Sequence, residues 1–571
     1  MYDRTPRDGV WLADDPSYQD RVHSLSSADP RLKNRDSKAQ NQKIPWDDAN
    51  ARIISLKLGI DQQSTQLFNF DNHIELETYL AKGHTIHAEN DRTSTDGGNG
   101  ASANSTCSRY RVIIMEGLSP KYIGVLGKHF SLHPSLFVEH ERVVVINKRG
   151  NGESDSLPLP STMQQRNHVV LRYFEPLVFN SVPNNSRLVC GSTGRHIAIS
   201  RNFGECSEVG TVHRKCSIWW TTRNGTDGWD CLVLCDPPVT NVRTGFQYNE
   251  SFTVNWSPYQ GGYVDFLPAR CCSHEVGPGP PRTSLMNDLI YYLTVEQRHV
   301  DITSPATSVH VFAHKIIASH YLKHSEHLRA TLWHAQRGLN RRHELNSLTM
   351  DQVEDLWSDI QAWERRMGEY CEALELIMLQ IGIPLETPGS THSFSKRMDW
   401  KDSTVDYQFL LMRFRELRHI TECLNSAITG LANIAGNRAA FKEQQLAAQE
   451  AKRSIRETKR TKAITLLGLV FIPLAYVSSL FSMGEPFRPG DTQFWVYFVA
   501  SVPLIALTLL AYCALDWGYS DDSADWSPKT FSKHLQVRVG LKRPSGLIQE
   551  EPQRSYYSIG FDGNVSAKHG P

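Results

Sequence analysis

Between Ser403 and Met483 the chain holds no proline before Pro473, and its polarity changes abruptly part of the way along. Apolar residues recur first at Leu410, Phe414, Leu417, Ile420, Leu424, Ile428, Leu431 and Ile434. Steps of three and four residues describe one helical face that needs a partner helix. Lys452, Arg453, Arg456, Lys459, Arg460 and Lys462 follow, and the sequence then becomes AITLLGLVFIPLAYVSSLFSM. A second apolar span, Phe494 to Leu515, begins after a short gap. Uncharged spans of roughly 18–22 residues can cross a hydrocarbon core of about 30 Å. The short gap makes the two spans a hairpin with both ends on one side of a membrane; a buried hairpin in a soluble core is the alternative.

Charge sets the orientation. Six Lys or Arg precede the first span, whereas the loop from Ser482 to Gln493 holds only Arg488 against Glu485 and Asp491. Positive charge stays inside, so the N-terminal mass and the C-terminal tail are expected in the cytosol, with the short loop outside. The start, MYDRTPRDGVWLADD, is polar and acidic, unlike a secretory signal or a mitochondrial presequence. The first span then serves as an internal signal anchor. On this topology the sequons at Asn104, Asn184, Asn224, Asn249, Asn255 and Asn564 stay unglycosylated.

The expected organisation is an α+β membrane protein: a cytosolic α/β domain, then a long helical stem continuing into a C-terminal two-helix transmembrane hairpin. Residues 1–108 read as mostly disordered, because DRTSTDGGNGASANST cannot bury a core, with some local structure over Ile53 to Leu80. Residues 109–275 form the α/β domain. Its strands are expected at 109–115, 142–146, 168–174, 196–200, 217–222 and 229–235. Ser119-Pro120 supplies an N-cap and first helical residue, and Asn224-Gly225 a tight hairpin turn. A Pro/Gly linker at 276–283 leads to a helical stem, 284–462, with helices expected at Ser284–Gln297, Pro305–Gln336 and Thr349–Ile381 before the long one. The spans are 463–483 and 494–515, joined by the outer loop 484–493. A tail over 516–571 is largely disordered.

Equal numbers of basic and acidic residues, 61 each, give no pointer to nucleic acid. Six of the eleven cysteines fall between Cys206 and Cys272, with His274 close by. They approach the paired spacing of a zinc site without matching it, and WDCLVLC (229–235) also suits a buried strand. His320, His324 and His327 lie at i, i+4 and i+7 with Glu326 nearby. That face either binds zinc or nickel or packs as a polar helix face.

A long cytosolic helix feeding FIPLAYVSSLFSM (471–483), a short acidic loop, FWVYF (494–498) and VPLIALTLL resembles the CorA family of divalent-cation transporters. It is most similar to a divergent fungal branch in which the Gly-Met-Asn signature is altered, here to Ser482-Met483-Gly484. The resemblance covers about 349–515 well, 109–270 weakly and neither end. It implies a homopentamer whose first spans line a central pore, with magnesium as the transported ion, no bound cofactor, and the plasma membrane or the vacuolar membrane as its place. The family's asparagine has no counterpart at Gly484, so backbone carbonyls and the Ser482 hydroxyl would stand in as oxygen ligands. The family's lysine cluster after the second span is replaced by Asp516 and its acidic neighbours.

In a pentamer Glu485 and Asp491 would form rings of carboxylates that concentrate cations; as ordinary loop charges they keep the hairpin soluble. Thr465, Gly468, Ser478, Ser479 and Ser482 either let helices pack closely or tolerate a hydrated ion. Pro473 gives a kink or a carbonyl in the lining. No acid, base or histidine lies between Lys462 and Glu485, which speaks against a proton relay. Asp351, Glu354, Asp355 and Asp359 either bind magnesium between subunits, as the family's gating implies, or form an acidic helix surface. The expected function is thus a divalent-cation transporter or channel, not an enzyme, since no G-x-S-x-G, H-E-x-x-H or nucleotide loop occurs. The alternative is a non-conducting membrane scaffold or metal sensor of CorA descent.

Overall fold

The structure, a computed structural model, describes residues 9–33, 51–59, 65–90, 109–141, 159–163, 166–182, 188–200, 208–223, 228–244, 250–267, 279–302, 307–341, 350–385, 399–482, 490, 492–520 and 523–526. The chain separates into two compact units, Met1–Gly436 and Asn437–Pro571.

The first unit is built on an eleven-stranded sheet. In chain order its strands are β1 (Arg52–Leu58), β2 (Gln66–Phe70), β3 (Tyr110–Glu116), β4 (His168–Phe179), β5 (Leu188–Cys190), β6 (His196–Ser200), β7 (Glu208–Thr222), β8 (Trp229–Cys235), β9 (Asn241–Thr244), β10 (Glu250–Thr253) and β11 (Trp256–Pro258). The main path runs β10-β9-β5-β6-β7-β8-β3-β1-β2, with β4 on β7 and β11 on β4. Among the described residues only β3 and β8 pair in parallel, and the other ladders of the sheet are antiparallel.

Helices α1 (Pro16–Leu25), α2 (His73–Asn90), α3 (Pro120–His129), α4 (Ser135–Glu141), α5 (Pro160–Met163), α6 (Leu285–Thr294), α7 (Thr307–Arg341) and α8 (Met350–Gln380) accompany the sheet, with the start of α9 (Thr404–Phe481). The period of two along a strand separates two cores. Val112, Ile114, Cys231, Val233 and Cys235 join Leu289, Phe312, Ile316, Leu374, Leu410 and Phe414 from α6 to α9. Their neighbours Ile113, Met115, Leu232 and Leu234 join Tyr18, Val22, Ile123 and Phe137 from the N-terminal helices. Strands with apolar residues on both faces can occupy only such a central place, and β3 and β8 are buried along their whole length.

The N-terminal 108 residues therefore do more than expected. Strand β1 sits inside the sheet, between β2 and β3, and α1 buries Tyr18 and Val22. RIISLKL is apolar on both sides, a short signal submerged in a polar average. The caps behave as the sequence suggests: Ser119 Oγ accepts from the Tyr122 amide at 3.4 Å, and Ser284 Oγ from Asn287 at 3.3 Å. The β7–β8 hairpin is present. The ladder ends where the Arg223 amide donates to the Gly228 carbonyl at 2.9 Å, and Asp230 holds the Arg223 guanidinium through bonds of 2.7 and 2.8 Å. The expected strand 142–146, Thr349 at the start of its expected helix, the turn 224–227 and Cys206, Cys271, Cys272 and His274 lie outside the described residues.

The stem's apolar stripe finds its partner inside the chain. Tyr407, Leu410, Leu411, Phe414, Leu417, Leu424 and Ile428 are buried against α7 and α8 residues, whereas Ile434 is 47% exposed. The second unit holds the remainder of α9, then α10 (Trp495–Gly518) and the short pair β12 (Tyr519–Ser520) and β13 (Ser523–Trp526).

Candidate functional site

Two helices in the second unit are long and apolar enough to cross a membrane. The most apolar 18-residue stretch of α9 is 11% buried and that of α10 is 6% buried. A soluble core helix would be mostly covered, so these side chains, Leu467, Phe471, Tyr476, Val499, Val502, Leu507 and Leu510 among them, require an apolar surrounding of another kind.

The helices meet at one end, where the Phe481 and Tyr497 rings lie edge-on with centroids 6.2 Å apart. Phe494 stacks on Tyr497 at 6.0 Å. On α9 Pro473 and Val477 are the buried residues of this stretch, and on α10 Ser501 is buried, its hydroxyl donating to the Tyr497 carbonyl at 2.7 Å. At 3.6 residues per turn, Val470, Pro473, Val477 and Phe481 mark one side of α9.

The opposite side carries a stripe that apolar periodicity does not reveal. Two series with a seven-residue repeat wind onto it, drifting about 20° per heptad on a straight helix. One is Asn437, Gln444, Ala451, Thr458, Thr465, Ile472 and Ser479; the other is Ala440, Ala447, Ser454, Thr461, Gly468, Ala475 and Ser482. None is charged, although Lys, Arg and Glu crowd the intervening positions up to Lys462. All are exposed except the half-buried Gly468. Alternating steps of three and four along a helix are the pattern by which several helices wind around a common axis. The stripe's hydroxyls turn their protons inward. Thr458, Thr461, Thr465 and Ser482 each donate to a carbonyl of their own helix three or four residues back, at 2.8, 2.9, 2.8 and 3.0 Å. What they offer outward is oxygen lone pairs.

Of the residues expected to matter, Thr465, Gly468, Ser479 and Ser482 come together on this stripe. Ser478 flanks it, and Pro473 lies on the other side of the helix with Val477. Met483, Gly484, Glu485 and Asp491 lie outside the described residues, as do the side chains of Asp351, Glu354, Asp355 and Asp359.

The histidine face on α7 serves packing. His324 is fully buried, stacked on Phe174 at 5.8 Å and edge-on to Tyr370 at 4.6 Å, and neither ring nitrogen has a hydrogen-bond partner. His320 sits between Tyr173 and Tyr263, at 5.4 and 5.1 Å, and His327 against Tyr259 at 5.0 Å. Burial lowers all three pKa values, that of His327 to about 4. Among the described residues no group of three or more His, Cys, Asp or Glu could hold a metal ion.

A second buried polar cluster escaped the sequence reading altogether. Asp236 accepts from Arg195 Nε at 2.7 Å, Arg195 Nη2 at 3.0 Å and the Lys215 amide at 2.7 Å, with His140 Nε2 at 3.4 Å. Burial works to raise the Asp236 pKa, but Arg195 and His140 overcome it and hold the carboxylate well below its usual range. Arg195 Nη2 also donates to the His140 carbonyl, and Lys215 Nζ to the Glu139 carbonyl at 2.6 Å. The cluster is saturated with partners and ties α4 to β7 and to the residue following β8. Its chemistry is that of a structural clamp.

No family model and no curated protein matches the chain. Sixteen chains of solved structures match. One is the CorA magnesium transporter from Methanocaldococcus jannaschii, at 10% identity and a TM-score of 0.26, covering 83% of this chain and 98% of that one. A likeness at that score carries no weight for fold or function.

Proposed function

We propose that this chain is a homo-oligomeric membrane channel or transporter for divalent cations, in which the uncharged stripe of α9 from several copies surrounds the path. The observation that carries the reading is that stripe: uncharged, mostly small or hydroxyl-bearing, mostly exposed, and over 465–482 on the side of α9 away from Pro473 and Val477. A seam without charge, with Ile472 its one large apolar member and hydroxyls presenting oxygen lone pairs, suits passage of an ion that keeps much of its water. The exposed apolar sides of α9 and α10 then face lipid.

The orientation follows the charge asymmetry, with the N-terminal unit and the tail in the cytosol. Five copies and the plasma membrane are assigned from the sequence resemblance, as is magnesium as the cargo. Ser482, Met483 and Gly484 form the outer mouth, with Glu485 and Asp491 drawing cations toward it. A potential of about −100 mV favours entry of a doubly charged ion by roughly 4.6 kcal/mol, so transport needs no nucleotide.

The test is uptake of Mg²⁺, Zn²⁺, Co²⁺ and Ni²⁺ by purified protein in liposomes, with and without an inside-negative potential, beside a Met483→Ala variant. Potential-dependent uptake, reduced in the variant, is the expected result. No uptake of any of the ions by a folded oligomer would overturn the reading in favour of a non-conducting scaffold.

A further inference from the structure

The uncharged stripe leaves the rest of α9 to carry its charge, and that charge is sorted by sign around the helix. At about 100° per residue, Lys452, Arg453, Arg456, Lys459 and Arg460 fall within one arc of about 120°, centred opposite Ala451, Ser454, Thr458 and Thr461. Glu450 and Glu457 share a different sector, between the cations and the stripe. Lys462 is the exception, at the stripe's edge. All five cations of the arc are exposed. Among the described residues none of the five has a carboxylate partner. An excess of cations is enough to orient a span; it does not require them to share one side.

Their height along the helix says what they meet. Helix α9 runs unbroken from this arc into the apolar run that begins at Ala463. At a rise of about 1.5 Å per residue, Arg460, Lys459 and Arg456 stand about 5, 6 and 11 Å from Ala463 along the axis. The headgroup layer outside a hydrocarbon core of about 30 Å is about 5–8 Å deep on each side. Long basic side chains bend toward such a boundary, so these three reach its phosphates. Arg453 and Lys452 stand within about a Debye length, about 8 Å, of its outer edge. The guanidinium forks of Arg456 and Arg460 match phosphate oxygens in geometry as well as charge.

We infer that this arc binds the headgroups of anionic phospholipids in the cytosolic leaflet, which hold α9 at one depth and one roll, its stripe turned away from lipid. Juxtamembrane clusters of this size are drawn to anionic lipid. The inference rests on the membrane reading above.

The test uses the full chain, delipidated in a neutral detergent, and a fluorescent phosphatidylserine titrated into the micelles. A phosphatidylcholine of the same acyl chains is the neutral probe. The triple variant Arg456→Gln, Lys459→Gln, Arg460→Gln is compared with Lys442→Gln. Lys442 is exposed on the same side of α9, but about 30 Å from Ala463. The expected result is that phosphatidylserine binds more tightly than phosphatidylcholine by about tenfold or more, and that added salt weakens the difference. The difference should vanish in the triple variant and persist in Lys442→Gln. Equal binding of the two lipids, or a difference that survives the triple variant or is lost as fully in Lys442→Gln, overturns the headgroup surface. Displacement of the probe by inorganic phosphate at matched ionic strength overturns the lipid assignment in favour of a soluble anion. A chain that stays monodisperse without detergent overturns the membrane reading beneath it. The substituted side chains are exposed, so the variants are expected to fold, which unchanged circular dichroism checks.

Discussion

Replacing Asp236 with asparagine removes a carboxylate that balances Arg195, which is itself 4% exposed. The carboxylate takes two bonds from the guanidinium and one from the Lys215 amide, beside a buried His140. Taking one partner from a buried ion pair leaves the other charge uncompensated and costs about 3–5 kcal/mol. Asp236→Asn and Arg195→Met are each expected to lose that much. The double variant Arg195→Met with Asp236→Leu should lose less than the sum by at least about 2 kcal/mol, since neither charge is then stranded. Urea unfolding of the full chain in detergent, followed by tryptophan fluorescence, reads this out, because Trp219, Trp220 and Trp229 lie on β7 and β8, the strands that the cluster braces at their other end. Asp236 stays ionised far below the usual carboxylate range, so the loss should be the same at pH 7 and pH 5. Single losses under about 1 kcal/mol, or strict additivity, would refute the description of a dry, interdependent clamp.

Gly468 offers a cleaner probe of self-association, since a Cβ there meets nothing within 4 Å in the single chain. Gly468→Leu should leave membrane insertion and the melting of the first unit unchanged while reducing the oligomer fraction severalfold in light scattering. Phe174→Ala should cost about 3–5 kcal/mol, measured by urea unfolding, because the ring packs on His213, Tyr321, His324 and Tyr370. Acid should destabilise the fold through its histidines. Burial holds His196 and His327 at about 4, so their stability contribution is complete above the unfolded value of about 6.5 and is lost as pH falls toward 4, by about 3 kcal/mol each. Thermal unfolding across that window should show a shallower slope in a His196→Gln, His327→Gln double variant than in the parent.

The hairpin, the stem and the two central strands were legible in the sequence because each is a long run of one character. AITLLGLVFIPLAYVSSLFSM admits few readings, and β3 and β8 are apolar on both faces. Strand β7 runs from Glu208 to Thr222, yet only its last six residues read as strand. The earlier part, with Arg214 and Lys215, carries buried charge whose partners, the Glu175 carboxylate and the Glu139 carbonyl, come from β4 and from α4. No local pattern shows a charge that will be paired from a distance. Strand β1 was blurred by the polar residues around it. The histidine face on α7 was correctly placed on one side of a helix, but spacing does not say whether a ring meets a metal or Phe174. The stripe on α9 has a signal of its own, a want of charge at every third and fourth position within a densely charged helix. A search for apolar periodicity passes over it.

The most direct test of that stripe is to label it while ions flow. In a functional background with Cys423 and Cys513 replaced, Ser479→Cys stands on the stripe and Leu480→Cys beside it, 58% exposed toward the apolar surroundings. A positively charged methanethiosulfonate reagent should block potential-driven divalent uptake into liposomes through Ser479→Cys and leave Leu480→Cys conducting. Equal block at both positions, or uptake unaffected by complete modification of Ser479→Cys, would contradict an ion path along this face of α9.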